Sequence, residues 1–293
     1  MRSSSLPITC FVAGAVAALG FFVANGCGGS KGGSGFDTGD TTGDGGGEGG
    51  AGFGGSGRND AGIDCNVSGT VAGTAYAPNG TLPLYNVIVF APTQALDPLT
   101  DGVSCDTCGS VSGKPAATTV SDATGHFELQ GVPAGDNVPI VFQVGKWRRQ
   151  VTVPHVDSGC ATTTLTDPNM TRLPKNHTEG DIPHIAVTTG DCDSIACVLP
   201  KMGIDSSEFG VQSEYASKRV IMYQGDGPST AAGITKAQNL WGVPTEISKY
   251  DVAIFSCECY EAQDSKSPGD ETVVSDYLNA GGRTFGTDFM YTW

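Results

Sequence analysis

The chain has 293 residues, which at roughly 100–200 residues per domain is enough for about two domains. Its 16 Lys and Arg residues against 31 Asp and Glu residues give a formal net charge of −15. This charge excludes a general nucleic-acid-binding protein, because recognition of phosphates requires a cationic surface. Charged residues make up 16% of the chain, below the typical share of about 25%.

The N-terminus has the pattern of an export signal. Arg2 gives a positive start, residues 8–24 carry no charge, and small residues precede Cys27. The uncharged run is short for a membrane span, which needs about 20 apolar residues. The segment Val23-Ala24-Asn25-Gly26-Cys27 resembles a bacterial lipobox. This resemblance implies a lipoprotein signal peptide over 1–26 and a lipid anchor on Cys27; a plain secreted protein and an uncleaved anchor are the alternatives.

Residues 27–64 are dominated by glycine and acidic residues. Gly occupies 17 of the 37 positions from 28 to 64, and the acidic side chains there outnumber Lys31 and Arg58. Such a tract cannot bury enough apolar surface to offset its conformational entropy, so we expect a disordered tether. As a flexible coil it would span roughly 30–35 Å, which would hold a folded domain clear of a membrane surface.

Short strands separated by turns are predicted from residue 65 to residue 160. Segments of β-branched and apolar residues alternate with turn-forming Pro, Asn, Asp and Gly. The predicted strands are 67–75, 85–90, 117–120, 126–129, 138–144 and 147–153, and the predicted turns are 78–80, 121–125, 131–137 and 145. Regularly spaced short strands without helices indicate an all-β sandwich.

Four segments of this region resemble the carboxypeptidase regulatory-like domain, a small transthyretin-like sandwich. They are Ser68-Gly69-Thr70-Val71, Asn86-Val87-Ile88-Val89, Ser121-Asp122-Ala123-Thr124-Gly125-His126-Phe127 and Val132-Pro133-Ala134-Gly135-Asp136. The resemblance implies an accessory or binding role. Metallo-carboxypeptidase activity is excluded, because no His-x-x-Glu zinc motif begins at any of the four histidines.

A cluster of cations surrounds Trp147 in an otherwise acidic chain. Strand alternation puts Trp147 and Arg149 on one face, with Lys146 and Arg148 on the other. One interpretation is a ligand-binding site for an anionic glycan, a lipid head group or an acidic peptide, with the indole as a stacking platform. The other, which we favour, is a packed strand whose arginine stems cover the core and whose guanidinium stacks on the indole.

Ten cysteines occur, of which Cys10 would leave with the signal peptide and Cys27 would carry the lipid. The even number that remains in an exported chain indicates structural disulfides. The expected partners are Cys65 with Cys160, Cys105 with Cys108, and Cys257 or Cys259 with Cys192 or Cys197. A zinc site or a thioredoxin-like redox pair at Cys105 and Cys108 is the less favoured alternative, and we expect no metal and no cofactor.

Beyond a polar linker over 161–182, the pattern over 183–293 becomes α/β. The predicted strands are 185–189, 219–223, 250–255 and 283–287, and the predicted helices are 193–199, stopped by Pro200 and Gly203, and 271–280. Alternating strands and helices predict right-handed parallel crossovers and therefore a partial flavodoxin-like parallel sheet. A closed α/β barrel is excluded, since it would need eight βα units.

The run from Tyr250 to Trp293 resembles the class I glutamine amidotransferase-like fold, especially its trehalose-utilisation-type branch. The shared order is an Asp-led strand, a loop, a helix ending in Gly-Gly and another strand. A group of bacterial surface lipoproteins with a regulatory-like sandwich before such a domain is also similar. In that family the nucleophilic Cys lies on the turn after the last of these strands, where this chain has Gly286-Thr287-Asp288-Phe289-Met290. The resemblance thus implies a degenerate domain, either from a truncated reading frame or with a terminal strand over 289–293.

The sequence supports three functional hypotheses. The leading one is an exported, lipid-anchored surface protein of the outer membrane or cell surface, whose folded part binds or scaffolds a cell-surface glycan or protein without catalysis of its own. The first alternative is an amidotransferase-like hydrolase that uses Cys257 as nucleophile, with His184 or Glu258 assisting as base. The second is a carbohydrate-binding sandwich centred on Trp147.

Overall fold

The computed structural model describes residues 62–104, 111–193, 195–226, 231–259, 266–288 and 290. This part of the chain is mostly β-sheet with few helices, and it includes a six-stranded parallel sheet. The signal peptide and Cys27, the tether up to residue 61, the pair Cys105 and Cys108, and the segment 291–293 lie outside the described residues.

Seven strands form the first half. They are β1 (Ser68–Thr74), β2 (Ile88–Pro92), β3 (Pro115–Val120), β4 (His126–Pro133), β5 (Gly135–Val144), β6 (Trp147–Val156) and β7 (Thr162–Leu165). One sheet has the order β4-β1-β7 and the other the order β3-β2-β5-β6. The inward side chains of both sheets form one core. It includes Val71, Phe127 and Leu129 from the first sheet, and Val89 and Phe142 from the second. The two sheets therefore pack against one shared core, and we call this part of the described chain the sandwich.

Local sequence explains the turns of the sandwich. The Asp122 carboxylate accepts hydrogen bonds from the backbone N–H groups of Thr124 (2.8 Å) and His126 (3.0 Å), and this closes the predicted turn between β3 and β4. Gly145 adopts a φ of +56° in the two-residue loop that joins β5 to β6. The turn predicted over 131–137 is mostly strand instead, because Gly131 forms a bulge in β4 at a φ of +76°.

The linker expected over 161–182 is wrong in its first part. Residues Thr162–Leu165 form β7, which pairs in parallel with β1 and extends the sandwich beyond residue 160. A short helix, α1 (Pro168–Thr171), follows, and Asp167 accepts a hydrogen bond at its N-cap. Leu173 is buried in the sandwich core. The segment is polar in composition because β7 exposes alternate threonines, yet its backbone completes a sheet.

The second half contains the remaining strands and most of the helices. They are β8 (Ile185–Thr188), α2 (Val198–Met202), β9 (Phe209–Gly210), β10 (Val220–Gln224), β11 (Thr235–Lys236), α3 (Gln238–Trp241), α4 (Pro244–Ile247), β12 (Val252–Phe255), α5 (Pro268–Asn279) and β13 (Arg283–Gly286). Three single-turn 3-10 helices cover 195–197, 206–208 and 212–214. The sheet order is β11-β10-β8-β12-β13, with β9 also on β10, and every pairing is parallel, as predicted.

Alternation along the parallel strands gives the sheet two apolar faces. Ala186, Ile221 and Phe255 point to one face, which α3, α4 and α5 cover. Val187 and Ile254 point to the other face, which packs against residues of α2 and against the sandwich. The sheet is thus a buried layer, as its continuous apolar runs indicate.

Helix ends follow the capping rules only in part. Ser267 and Asp270 form a reciprocal capping box at the start of α5, and Gly281 has a φ of +102° just after its end. The helix predicted over 193–199 is replaced by a 3-10 turn and α2, which runs through Pro200 and ends at Gly203. Pro200 does not stop α2 because it lies in the first turn, where a backbone N–H has no partner within the helix.

Candidate functional site

The connections of the parallel sheet define one edge where a site is expected. From β8 the chain passes to β10 on one side and then to β12 on the other side of β8. In open α/β sheets ligands bind outside the carboxyl ends of the strands at such a switch point. The segments that follow β8 and β12, which are 189–193 and 256–259, therefore form the candidate site, and we call this end of the sheet the carboxyl edge.

Hydrogen bonds close the gap between these two segments. The Ser256 N–H donates to Thr188 Oγ1 (3.1 Å), and the Ser256 hydroxyl donates to the Thr188 carbonyl (2.5 Å). The Cys257 N–H donates to Asp193 Oδ2 (2.9 Å), and the Thr287 hydroxyl donates to the same carboxylate oxygen. The groups that would face a ligand at the switch point are thus bonded to one another.

A disulfide between Cys192 and Cys259 covers the same gap, with Cα atoms 5.1 Å apart. A second disulfide joins Cys65 to Cys160 across the ends of the sandwich strands. Both pairings are among those expected from the sequence. Cys197 and Cys257 were also candidates, but both are free thiols here: Cys259 takes the bond to Cys192, while Cys257 is buried and Cys197 is exposed. Disulfides persist in oxidising compartments, so the two bridges indicate an exported protein.

A buried ion pair lies beside the disulfide. Lys266 Nζ and Glu258 Oε2 are 3.2 Å apart, and both side chains are almost completely buried. Burial raises the pKa of the Glu258 carboxyl, against the opposing effect of the Lys266 charge. Glu258 is therefore paired within the protein, although it is adjacent to Cys257 in sequence.

His184 is at the opposite end of the sheet, which we call the amino edge. It immediately precedes β8, and its carbonyl accepts the Asp251 N–H just before β12. Cys257 follows β12, so the two residues are separated by the length of the strands, roughly 20 Å at 3.3 Å per residue. The expectation that His184 activates Cys257 is wrong, because parallel strands place their starts and their ends at opposite edges.

The imidazole of His184 has a local role instead. Its Nε2 accepts a hydrogen bond from Arg219 Nη1 at 2.5 Å, and its ring stacks on Tyr215 with centroids 4.1 Å apart. Burial and the neighbouring Arg219 charge lower the pKa of His184 to about 4, so the ring is neutral near pH 7. Nδ1 is buried and has no hydrogen-bond partner in the described part of the chain.

Lys146 reaches the amino edge from the loop between β5 and β6. Its Nζ donates to Asp251 Oδ1 (2.6 Å) and to the carbonyls of Thr100 (2.8 Å) and Gly102 (2.5 Å). The other carboxylate oxygen of Asp251 accepts the His184 N–H at 2.8 Å. Asp251 therefore links the sandwich to the start of the parallel sheet.

Trp147 packs at the same place. Its indole contacts both the sandwich core and the apolar face of the parallel sheet, and its Nε1 donates to the Pro174 carbonyl at 3.1 Å. The four residues Lys146, Trp147, His184 and Asp251 form what we call the joint. The indole of Trp147 is partly buried, because it packs against both cores.

The two arginines beside Trp147 are also bonded internally. Arg148 is buried; its Nε donates to Asp181 Oδ2 (2.9 Å) and its Nη2 to the Asp97 carbonyl (2.9 Å). Arg149 Nη1 donates to the Asn169 carbonyl at 2.8 Å. Lys146, Trp147, Arg148 and Arg149 are thus bonded to other segments of the described chain, and these contacts favour the packed-strand interpretation over the ligand-binding site.

Sequence reasoning missed the acidic half of the joint. Lys146 and Asp251 are 105 residues apart, and no spacing rule connects them. The available signal was an Asp directly before a continuous apolar strand, together with a Lys in a tight hairpin loop of an acidic protein.

The sandwich has an open concave surface away from the joint. A pocket of about 290 Å³ is lined by the end of β2 and by the junction between β4 and β5, including Pro92, Ala134, Val138 and Pro139. The chain enters the sandwich close by, since the Ala134 N–H donates to the Val67 carbonyl at 2.9 Å. In the part of the chain that the structure describes, no helix has the length and hydropathy to cross a membrane.

Comparison with protein-family models and with curated proteins gives no match. The major pilin subunit BcpA of Bacillus cereus is similar over 38% of this chain and 31% of the pilin, with 17% identity and a TM-score of 0.22. A 9R-lipoxygenase from Cyanothece is similar over 36% of this chain and 17% of the enzyme, with 16% identity and a TM-score of 0.21. The chain thus spans less than a third of either structure, and TM-scores this low do not establish a shared fold.

Proposed function

We propose that the protein is an exported, lipid-anchored surface module that binds or scaffolds a cell-surface partner and has no catalysis of its own. Lipidation of Cys27, at the end of a signal peptide over 1–26, would place it on the outer membrane or cell surface. The acidic tether over 27–64 would hold the folded part clear of the lipid. Two disulfides that stabilise the folded part in an oxidising compartment support this location.

The closed carboxyl edge is the observation that carries the non-catalytic part of the proposal. At the switch point, Ser256 and Asp193 are used in internal hydrogen bonds, and the Cys192–Cys259 disulfide covers the gap. A catalytic nucleophile needs a base within hydrogen-bond reach and space for substrate. Cys257 is buried, and the histidine proposed for it lies at the other edge of the sheet. A scaffold role fits this arrangement better than a hydrolase.

We also propose a family for each half of the folded part. The sandwich would be a carboxypeptidase regulatory-like domain, and the parallel sheet a degenerate amidotransferase-like, flavodoxin-like domain. Support for the first is that its motif around Asp122 forms the turn between β3 and β4. Support for the second is the strand order, in which β8 is flanked by β10 and β12 and then by β13.

The anchoring claim is tested by phase partition in Triton X-114. The wild-type protein is expected in the detergent phase after export, and the Cys27→Ser variant in the aqueous phase. Cys10→Ser is the matched control, because Cys10 would be removed with the signal peptide, and it should partition like the wild type. Detergent partition of Cys27→Ser would overturn the anchor.

The non-catalytic claim is tested by alkylation of the native protein with iodoacetamide, followed by peptide mass analysis. The exposed Cys197 should label first, and Cys257 should label only slowly, because its side chain is buried. Rapid labelling of Cys257 in the folded protein would show an accessible, activated thiol and would restore the hydrolase hypothesis.

The partner contact is proposed for the pocket next to Pro92 and Pro139, the concave surface of the sandwich that adjoins the end of the tether. A photo-crosslinking residue placed at Ala134 on the native cell surface should give a discrete adduct. The same residue at the exposed Thr118 of β3 is the control and should give none. Absence of an adduct from Ala134, or the same adduct from both positions, would exclude this surface.

A further inference from the structure

Three cysteines lie together at the carboxyl edge, and only two of them share the disulfide. Cys257 keeps a buried thiol two residues before Cys259. Its sulfur accepts the backbone N–H of Cys259 at 3.4 Å, so the thiol lies against the residue at one end of the bridge. Its carbonyl accepts the backbone N–H of Cys192 at 3.3 Å, so the same residue also faces the other end of the bridge.

We propose that this cluster is a thiol–disulfide exchange site with two disulfide isomers. The Cys257 thiolate attacks Cys192 Sγ, a Cys192–Cys257 bond forms, and the Cys192–Cys259 bond breaks. Cys259 leaves as the thiolate and takes up the proton that Cys257 released. The exchange is reversible and conserves one disulfide and one thiol, so it requires no external oxidant or reductant.

Geometry favours Cys192 as the sulfur under attack. A disulfide requires Cα atoms about 4.4–6.8 Å apart. Cys192 and Cys257 are close enough for a direct backbone hydrogen bond, in which the Cys192 N–H donates to the Cys257 carbonyl. The existing partner, Cys259, is two residues after the attacking residue along the chain and is therefore placed to return to Cys192 in the reverse step. The other free thiol in the described ranges, Cys197, is exposed, and no hydrogen bond of these ranges joins it to the three cysteines.

Exchange would change how the switch point is covered. With Cys259 bonded, the bridge holds the chain after Glu258, and with Cys257 bonded it holds the chain before Glu258. The second isomer frees Cys259, so the chain after Glu258 is no longer held by the bridge, while Glu258 keeps its ion pair to Lys266. The cluster is thus a device that can loosen one side of the carboxyl edge while a disulfide is kept.

Disulfide mapping of the exported full-length protein tests the proposal through Cys259→Ser. We expect this variant to form a Cys192–Cys257 bridge in the oxidising compartment, with Cys197 remaining a thiol. An intact Cys65–Cys160 bridge in the same digest shows that export, oxidation and folding of the sandwich took place. If Cys192 and Cys257 are both alkylated in that sample, or if Cys192 pairs with Cys197, the proposal is wrong. Cys197→Ser is the matched control and should leave the wild-type pairing unchanged.

Slow alkylation of the wild-type protein without denaturant tests whether the isomers interconvert. Exchange predicts that the label divides between Cys257 and Cys259, because Cys257 is the thiol in one isomer and Cys259 is the thiol in the other. In the Cys257→Ser variant Cys259 should not be labelled, since no thiol at position 257 remains to attack the bridge. Label on Cys257 alone, after its thiol has fully reacted, would overturn the exchange. These measurements are independent of Cys27 and of the anchoring test.

Discussion

The two edges of the parallel sheet are closed by different chemistry. At the amino edge, Lys146 and Asp251 form an ion pair, and His184 stacks on Tyr215. At the carboxyl edge, the Cys192–Cys259 disulfide and buried hydrogen bonds join the segments after β8 and β12. The amino edge faces the sandwich, so its closure is also one of the contacts between the two halves of the molecule.

This difference predicts different sensitivities. A charged contact depends on pH and on the pairing of each charge, because a buried charge without a partner is costly. A disulfide acts mainly by restricting the unfolded chain and responds to reductant rather than to pH. The joint is therefore expected to weaken when its charges change, and the carboxyl edge to weaken when its sulfurs are reduced.

The largest effect is expected for Asp251→Ala. The substitution removes the carboxylate that pairs with Lys146, whose side chain is only 13% exposed, and also the acceptor for the His184 N–H. Loss of one partner of a buried pair should lower the free energy of unfolding by about 3–5 kcal/mol. Urea denaturation followed by circular dichroism measures this difference.

A double-mutant cycle with Lys146→Met separates the interaction energy of the ion pair from the other contributions of Asp251 to stability. Adding Lys146→Met to Asp251→Ala should recover part of the lost stability, because no unpaired cation is then buried. If the two changes are additive, the ion pair does not couple the edge to the sandwich.

Removal of the Cys192–Cys259 disulfide at the carboxyl edge is expected to lower the free energy of unfolding somewhat less than Asp251→Ala. The double variant Cys192→Ser/Cys259→Ser should lose about 2–4 kcal/mol, since the bridge closes a loop with a sequence separation of 67. Cys65→Ser/Cys160→Ser, which opens a separation of 95, is the matched variant and should lose a similar amount. Unchanged urea midpoints in the Cys192 and Cys259 variant would contradict a stabilising role for that bridge.

Much of the fold was predictable because local patterns agree with it. The continuous apolar runs of β8, β10 and β12 indicate a buried parallel sheet, and all three are present. The alternating apolar residues of β4 and the turn over 121–125 before it predict the sandwich in the same way. These signals depend on neighbours within a few residues, which is the range that a sequence pattern covers.

The missed features depend on contacts between distant segments. Strand β7 pairs with β1, about 90 residues earlier. Three of its four residues are threonines, so its own sequence has no apolar run that would predict a strand. The joint combines a hairpin loop of the sandwich with the starts of β8 and β12. Lys146 and its neighbours therefore have the local pattern of a ligand site, and only the tertiary structure shows their internal partners.

A smaller loss of stability is expected when the ion pair between Arg172 and Glu179 is broken. This pair lies in the segment that connects the two halves of the molecule. Arg172 donates to both oxygens of Glu179, at 2.6 and 2.8 Å, and these bonds lower the pKa of Glu179 to about 2. Glu179→Gln should cost about 1–3 kcal/mol near pH 7, because the buried guanidinium loses its counter-ion. The difference from wild type should shrink as pH falls from about 4.5 toward 2, where Glu179 becomes protonated.

The control for this prediction is Glu128→Gln. Glu128 is an exposed carboxylate of β4, 3.9 Å from His126, and its removal should change stability by less than about 0.5 kcal/mol. Equal effects of the two substitutions would show that the Arg172–Glu179 pair adds no stability beyond that of a surface contact.

The last effect, which is small near neutral pH and grows as the pH falls, is a pH dependence from His184. Its pKa is about 4 in the folded protein and 6.5 without the fold, so the unfolded chain binds more protons between these values. Stability should therefore be complete above pH 6.5 and fall toward pH 4, by about 1 kcal/mol between pH 6.5 and 5.5. His184→Asn should remove this loss, whereas His155→Gln should not, because Asp136 raises the pKa of exposed His155. If the pH profiles of wild type and His184→Asn are parallel, His184 is not the group that makes the amino edge sensitive to acid, and the contrast with the disulfide-bonded carboxyl edge rests on Lys146 and Asp251 alone.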